Sequence, residues 1–191
     1  MTTASKVTIV RILLIPTFMA AALGSFRGSE LLAFLLFVLA GMTDWVDGYI
    51  ARKYDQISDF GKFMDPLADK LLVTSALLIF VQWGRMPAWV LMVVLTREFA
   101  VSGLRMMAAV KGQVIAAGVS GKIKTIVTFV GIGVMLLTSN ACVFVAPWAR
   151  GRVCEASSLP IDLTVMIAIL LTTVYSGIEY FAKNYRVLGE R

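Results

Sequence analysis

Long apolar runs separated by short polar breaks set the pattern of this chain. Six runs, at residues 8–24, 30–52, 60–82, 87–110, 119–139 and 161–182, approach the about 20 residues that a helix needs to cross a hydrocarbon core. The breaks are too short to hold a soluble domain, and the longest covers about 140–160. The expectation is an all-α, polytopic membrane protein, with six transmembrane helices in a single domain spanning 1–191. The first run also has signal-peptide features, since Lys6 and Arg11 precede apolar sequence and Ala20-Ala21-Ala22 offers a cleavage-like site. Five further runs follow it, which favours an uncleaved first helix. No internal repeat or inverted symmetry of the transporter kind is visible.

Composition agrees with this pattern. Hydrophobic residues make up 59% of the 191 and charged residues 16%, against about 25% charged in an ordinary soluble domain. The basic residues give an orientation. With the N-terminus inside, Lys6, Arg11, Arg52, Lys53, Lys62, Lys70, Arg97, Arg105, Lys111, Lys122, Lys124, Lys183, Arg186 and Arg191 fall on the inner side. Only Arg27, Arg85, Arg150 and Arg152 fall on the outer side, so both termini are expected in the cytoplasm. The net charge of +6 then reports topology and anionic headgroups, and no nucleic-acid partner is expected.

Histidine is absent, which excludes His metal ligands, His general bases and His-dependent triads. The two cysteines, Cys142 and Cys154, are too few for a disulfide framework. In an oxidising compartment they either pair or stay free. Chemistry in this chain has to run on carboxylates, basic residues and metal ions.

The carboxylates concentrate in DWVDGYIARKYDQISDFGKFMDPLADK, Asp44 to Lys70, at the edges of two apolar runs. Asp44, Asp47, Gly48 and Ala51 follow i, i+3, i+4 and i+7 spacing, one stripe at the inner end of the second helix. Gly61, Asp65 and Asp69 follow i, i+4 and i+8 spacing at the inner start of the third. A short loop joins the two helices, so antiparallel neighbours bring four carboxylates to one depth. Such charges repel strongly at low dielectric and must be protonated, paired with basic residues or bound to cations. An all-oxygen donor set without Cys or His suits Mg²⁺ or Mn²⁺, and two bridged ions are typical of phosphoryl chemistry. The small residues Gly48, Ala51 and Gly61 beside the carboxylates leave space for a ligand or for close helix packing. Plainer roles exist nearby. Asp59 and Asp65 have the positions of helix caps, Asp55 that of a solvated loop charge, and Arg52 that of a counter-ion or a topology charge.

The stretch from Asp44 to Asp69 resembles the signature of the CDP-alcohol phosphotransferases at every fixed position: Asp44, Asp47, Gly48, Ala51, Arg52, Gly61, Asp65 and Asp69. VTIVRILLIP, Val7 to Pro16, is similar to the family's opening helix, with Thr8 and Arg11 in place. Ala4-Ser5 stand where the family often has Pro-Asn. TREFAVSGLRMMAA (Thr96 to Ala109) and GKIKT (Gly121 to Thr125) resemble the branch that makes phosphatidylglycerophosphate. The resemblance implies six transmembrane helices, a homodimer in the cell membrane and an active site facing the cytoplasm. It implies that Asp44, Asp47 and Asp65 ligate two divalent metals, with Asp69 at the edge of that site as general base. It also implies that Gly48, Arg52 and Ser58 hold the cytidine diphosphate of a CDP-diacylglycerol donor, within a donor set that includes Thr8, Ala51 and Gly61.

Arg97, Arg105, Lys122 and Lys124 form a second set. Arg97 lies well inside the fourth run beside Glu98, where a charge needs a partner or an aqueous cavity. A Glu98 ion pair with topology charges elsewhere is one account of these residues. A site for the phosphate of glycerol 3-phosphate is the other, and the branch-like segments favour it. SGKIKT is not a phosphate-binding P-loop, because Ala116 stands where the upstream glycine belongs. The rivals are an inositol phosphate acceptor within the same family and, in another class, a divalent-cation transporter. The transporter reading lacks acidic residues continuing toward the outer face. Glu179 is explained by Lys183 at i+4.

Overall fold

The computed structural model describes residues 3–24, 26, 28–54, 59–110, 118–145 and 152–185. They form six α-helices with no strand among them: α1 Thr3–Leu23, α2 Ser29–Tyr54, α3 Asp59–Gln82, α4 Ala88–Val110, α5 Val119–Val145 and α6 Arg152–Asn184. Each expected span is a helix. Two run well beyond their apolar stretch, with α5 six residues past position 139 and α6 starting nine before 161. Much of the expected 140–160 connection is therefore helical. A helix is continued by its backbone hydrogen bonds and needs no apolar side chains to do so. Cys142 and Cys154 fall in these extensions, and their side chains lie outside the described residues.

α1 packs against both α2 and α3, α5 against α6 and α2, and α4 against α6 and α3. α2 and α3 also meet, over a smaller interface than either makes with α1. Phe18, Phe37, Leu77, Phe80, Val90, Val94, Ile132, Met135 and Ile169 are buried in one core shared by all six helices. A smaller cluster of Val101, Leu104 and Tyr180 joins α4 to α6 nearer the chain's carboxyl end. Close approach needs glycine at two helix crossings. A Cβ on Gly41 would meet the Phe129 ring at 2.1 Å, and one on Gly131 would meet Val165 at 2.7 Å. Hydroxyls of Thr43, Ser75, Thr125 and Thr172 donate back to carbonyls of their own helices, so these polar groups sit among apolar ones without loss.

The outside of the bundle is apolar as well. Leu13, Leu35, Met92, Phe99, Ile126, Leu171 and Ile178 are each more than half exposed. Runs Val119–Thr138 in α5 and Pro160–Asn184 in α6 are long and apolar enough to cross a membrane. Helices that are apolar all round in a bundle of this size suit a lipid solvent better than water.

The end of the bundle remote from the aspartates is tied by one arginine. α3 stops at Gln82, and Gly84, with φ +72°, reverses the chain in the left-handed conformation that glycine adopts without strain. The amide of Arg85 donates to the Phe80 carbonyl at 2.9 Å, closing that cap. The Arg85 guanidinium then reaches α6 and α5. Its Nε donates to Asp162 Oδ2 at 2.7 Å, its Nη1 to the Met135 carbonyl at 2.8 Å and its Nη2 to Thr138 Oγ1 at 2.9 Å. Asp162 is buried. In the sequence Arg85 had only the meaning of an outer-side charge, and Asp162 had none.

Removing one member of a buried, hydrogen-bonded ion pair strands the other charge, at about 3–5 kcal/mol. Asp162→Ala should therefore destabilise the protein by an amount of that order. Thermal unfolding of the purified protein in detergent measures it, and Asp162→Glu should recover part of the loss.

Candidate active site

The last turns of α2 carry Asp44, Asp47, Gly48, Ala51 and Arg52, and the first half of α3 carries Gly61, Asp65 and Asp69. Both stretches are helical, as the i, i+3, i+4 spacing requires, and α2 and α3 touch. The side chains of Thr8, Asp44, Asp47, Ala51, Arg52, Asp65 and Asp69 lie outside the described residues, as do the surroundings of Gly48 and Gly61. Ser58 lies outside them altogether. The backbone thus presents carboxylate-bearing stripes on two helices in contact, an all-oxygen donor set compatible with a hard divalent ion.

A cavity of about 250 Å³ lies one helical turn from these stripes. Arg11 of α1, Ala40 and Gly41 of α2, Leu72 of α3, and Thr125, Ile126, Phe129 and Val130 of α5 line it. Ala40 and Gly41 precede Asp44 by about one turn, and Leu72 follows Asp69 by about one turn. Arg11 is fully buried, and Phe129 stacks on Phe37 with ring centroids 4.7 Å apart. Sequence reasoning noted Arg11 only as a topology charge and a family match. The signal for a larger role was its position one turn after Thr8 inside an apolar run.

The second set resolves into separate environments. Arg97 and Lys124 meet on one carboxylate oxygen: Glu98 Oε1 accepts from Arg97 Nη1 at 3.0 Å and from Lys124 Nζ at 2.6 Å. Lys124 is 5% exposed, so α5 turns this cation into the bundle. Lys122 is exposed. Two residues along a helix amount to about 200° of rotation, so Lys122 and Lys124 point to different sides. Arg105 sits over the Tyr180 ring at 5.5 Å, and its Nε donates to Tyr180 Oη at 3.1 Å. Lys70 of α3 donates to Ser102 Oγ, which donates in turn to the Glu98 carbonyl at 2.7 Å. α6 closes this region. Gly121 and Gly177 stand against Arg97, and a Cβ on Gly177 would come within 3.1 Å of Arg97 Cγ. Sequence reasoning took Lys70 only as an inner-side charge and passed over Ser102, Gly177 and Tyr180, since nothing in helical spacing says which neighbour each one meets. Glu179 pairs with Lys183 as the i+4 spacing suggested.

The profile of the family described as CDP-alcohol phosphatidyltransferase matches residues 1–175. This chain belongs to the CDP-alcohol phosphatidyltransferases. Relatives of this phosphatidyltransferase resemble it over most of their length. The protein of Bacillus subtilis (strain 168) named "CDP-diacylglycerol–glycerol-3-phosphate 3-phosphatidyltransferase" is 44% identical, over 96% of this chain and 95% of its own. One of the same name from Haemophilus influenzae (strain ATCC 51907 / DSM 11121 / KW20 / Rd) is 34% identical over 91% and 88%. A "Probable phosphatidylglycerophosphate synthase" of Mycobacterium tuberculosis (strain CDC 1551 / Oshkosh) is 35% identical over 97% and 83%.

Two glycine substitutions separate packing against Arg97 from a general effect of the change. Gly177→Ala forces the Arg97 stem to shift and should reduce transferase turnover severalfold. Gly103→Ala, where an added Cβ meets nothing within 4 Å, should leave turnover unchanged. Initial rates of the two purified variants check this.

Proposed function

We propose that this phosphatidyltransferase moves the phosphatidyl group of CDP-diacylglycerol to a hydroxyl of glycerol 3-phosphate, giving phosphatidylglycerophosphate and CMP. The observation that carries the reading is the meeting of Arg97 and Lys124 on a single carboxylate. Two cations held together on one carboxylate, in a chain that carries a complete donor signature, suit an acceptor that is itself phosphorylated, and not serine. The names of the relatives support the same substrate pair.

All six helices span the cell membrane, with both termini and the aspartate end of the bundle at the cytoplasmic face, and the protein acts as a homodimer. The donor's acyl chains stay in the bilayer. Its glycerol ester region occupies the cavity between α2 and α5, where Arg11 contributes positive charge beside the diphosphate. Gly48, Arg52 and Ser58 hold the cytidine diphosphate, while Thr8, Ala51 and Gly61 complete its surroundings. Asp44, Asp47 and Asp65, with Asp69 at the edge, hold two divalent ions, Mg²⁺ or Mn²⁺. Bound there, the ions neutralise the diphosphate and stabilise charge on the departing CMP.

Arg97 and Lys124 anchor the acceptor's phosphate, with Arg105 and Lys122 as the outlying members of the set. Asp69 takes the proton from the acceptor hydroxyl. The freed oxygen attacks the phosphorus that carries diacylglycerol. A new phosphorus–oxygen bond forms as the bond to CMP breaks.

The test is an acceptor panel. Purified protein, CDP-diacylglycerol and Mg²⁺ are incubated with glycerol 3-phosphate, inositol phosphate or serine, and lipid and CMP are identified by mass spectrometry. Phosphatidylglycerophosphate and CMP are expected from glycerol 3-phosphate; product from another acceptor alone would refute the assignment. Asp69→Asn should fold normally and lose about 10²–10⁴-fold in turnover. Exhaustive chelation should abolish activity, and added Mg²⁺ or Mn²⁺ should restore it; full turnover in chelator would remove the metals from the mechanism.

A further inference from the structure

We infer that Glu98 is the positioning residue of the acceptor site, a built-in counter-ion that holds Arg97 and Lys124 in register for the acceptor's phosphate. The inference rests on the acceptor reading given above.

Arg97 and Lys124 come from α4 and α5, two helices that each pack against α3 and α6. Like charges at such range repel, most strongly where solvent is scarce. One atom, Glu98 Oε1, accepts from both and so fixes their spacing. The backbone of the same residue is held too, since its carbonyl accepts from Ser102 Oγ, to which Lys70 donates. Glu98 therefore lies at a junction of α3, α4 and α5. Through Lys70, the junction is adjacent in sequence to Asp69.

Charge and space point the same way. Arg97 and Lys124 share one carboxylate, which leaves one positive charge over among these three residues. A phosphate monoester is anionic near neutral pH and is attracted to that surplus. Arg97 Nε is buried and finds no acceptor among the described residues, so one donor remains for a ligand. Of two residues without side chains, Gly121 borders the guanidinium and Gly177 the Arg97 stem, which limits crowding there. Glu98 touches Arg97 and Lys124, and acts on the acceptor through them.

The experiment uses the full-length enzyme in lipid–detergent micelles with saturating Mg²⁺. Initial rates are measured against glycerol 3-phosphate and against CDP-diacylglycerol for wild type, Glu98→Gln and Glu98→Asp. Glu98→Gln should raise the KM for glycerol 3-phosphate tenfold or more and leave the KM for CDP-diacylglycerol within twofold. Glu98→Asp should recover most of the loss. Inorganic phosphate, competing with glycerol 3-phosphate, should lose potency in the Gln variant to the same extent.

An unchanged acceptor KM, or a lower one as expected of a merely competing anion, would overturn the inference. So would equal rises in both KM values, the mark of a general structural defect. If Glu98→Gln does not fold, the split measured on Glu98→Asp decides: a severalfold rise confined to the acceptor supports the role, and parallel rises overturn it. A wild-type enzyme that does not use glycerol 3-phosphate defeats the acceptor assignment itself. One that uses it, with variants unaffected, defeats only the role of Glu98.

Discussion

A charge inside an apolar helix bundle must be answered by a partner, because burial alone costs an unpaired ion several kilocalories per mole. Much of the polar architecture of this chain follows from that constraint. At one end the answer is complete: Arg85 spends its donors on Asp162, Met135 and Thr138, and the result is a closed fastening. Nearer the other end, among the described residues, Glu98 answers two cations with one charge. The closed arrangement stabilises the fold, and the open one leaves positive charge available for a ligand. The same element, an ion pair between helices, thus ties the fold at one end and, in the function proposed above, takes part in recognition at the other.

The fold was largely legible in the sequence because hydropathy and helical length are both local properties. All six apolar runs are helices. The errors lie at the ends of α5 and α6, where helix continues through polar sequence such as Arg152 to Ser158. Hydropathy marks where a helix can meet lipid, not where its hydrogen bonding stops. Partner choice was less legible. Spacing expressed that Asp44 and Asp47 share a stripe, but not that α1 would lie against both α2 and α3.

The basic set shows the same boundary between local and long-range information. Lys122 and Lys124 look equivalent in the sequence, and only their helical phase separates them. Arg97 beside Glu98 invited a simple ion pair, and that pair exists. What the sequence did not disclose is that Lys124 joins it from another helix, that Arg105 is taken up by Tyr180, and that α6 supplies Gly177 as a wall. Each of these is a contact between residues more than twenty positions apart, set by helix packing and not by any motif.

The seam between α2 and α5 has a consequence for how the chain can vary. The Phe129 ring occupies the room that a side chain at position 41 would need, and it also rests on Phe37. A bulkier residue at 41 is admissible only if position 129 shrinks, and a smaller residue at 129 would enlarge the neighbouring chamber. Paired exchange at these two sites is therefore a route by which evolution, or a designer, resizes that chamber without altering any charged group.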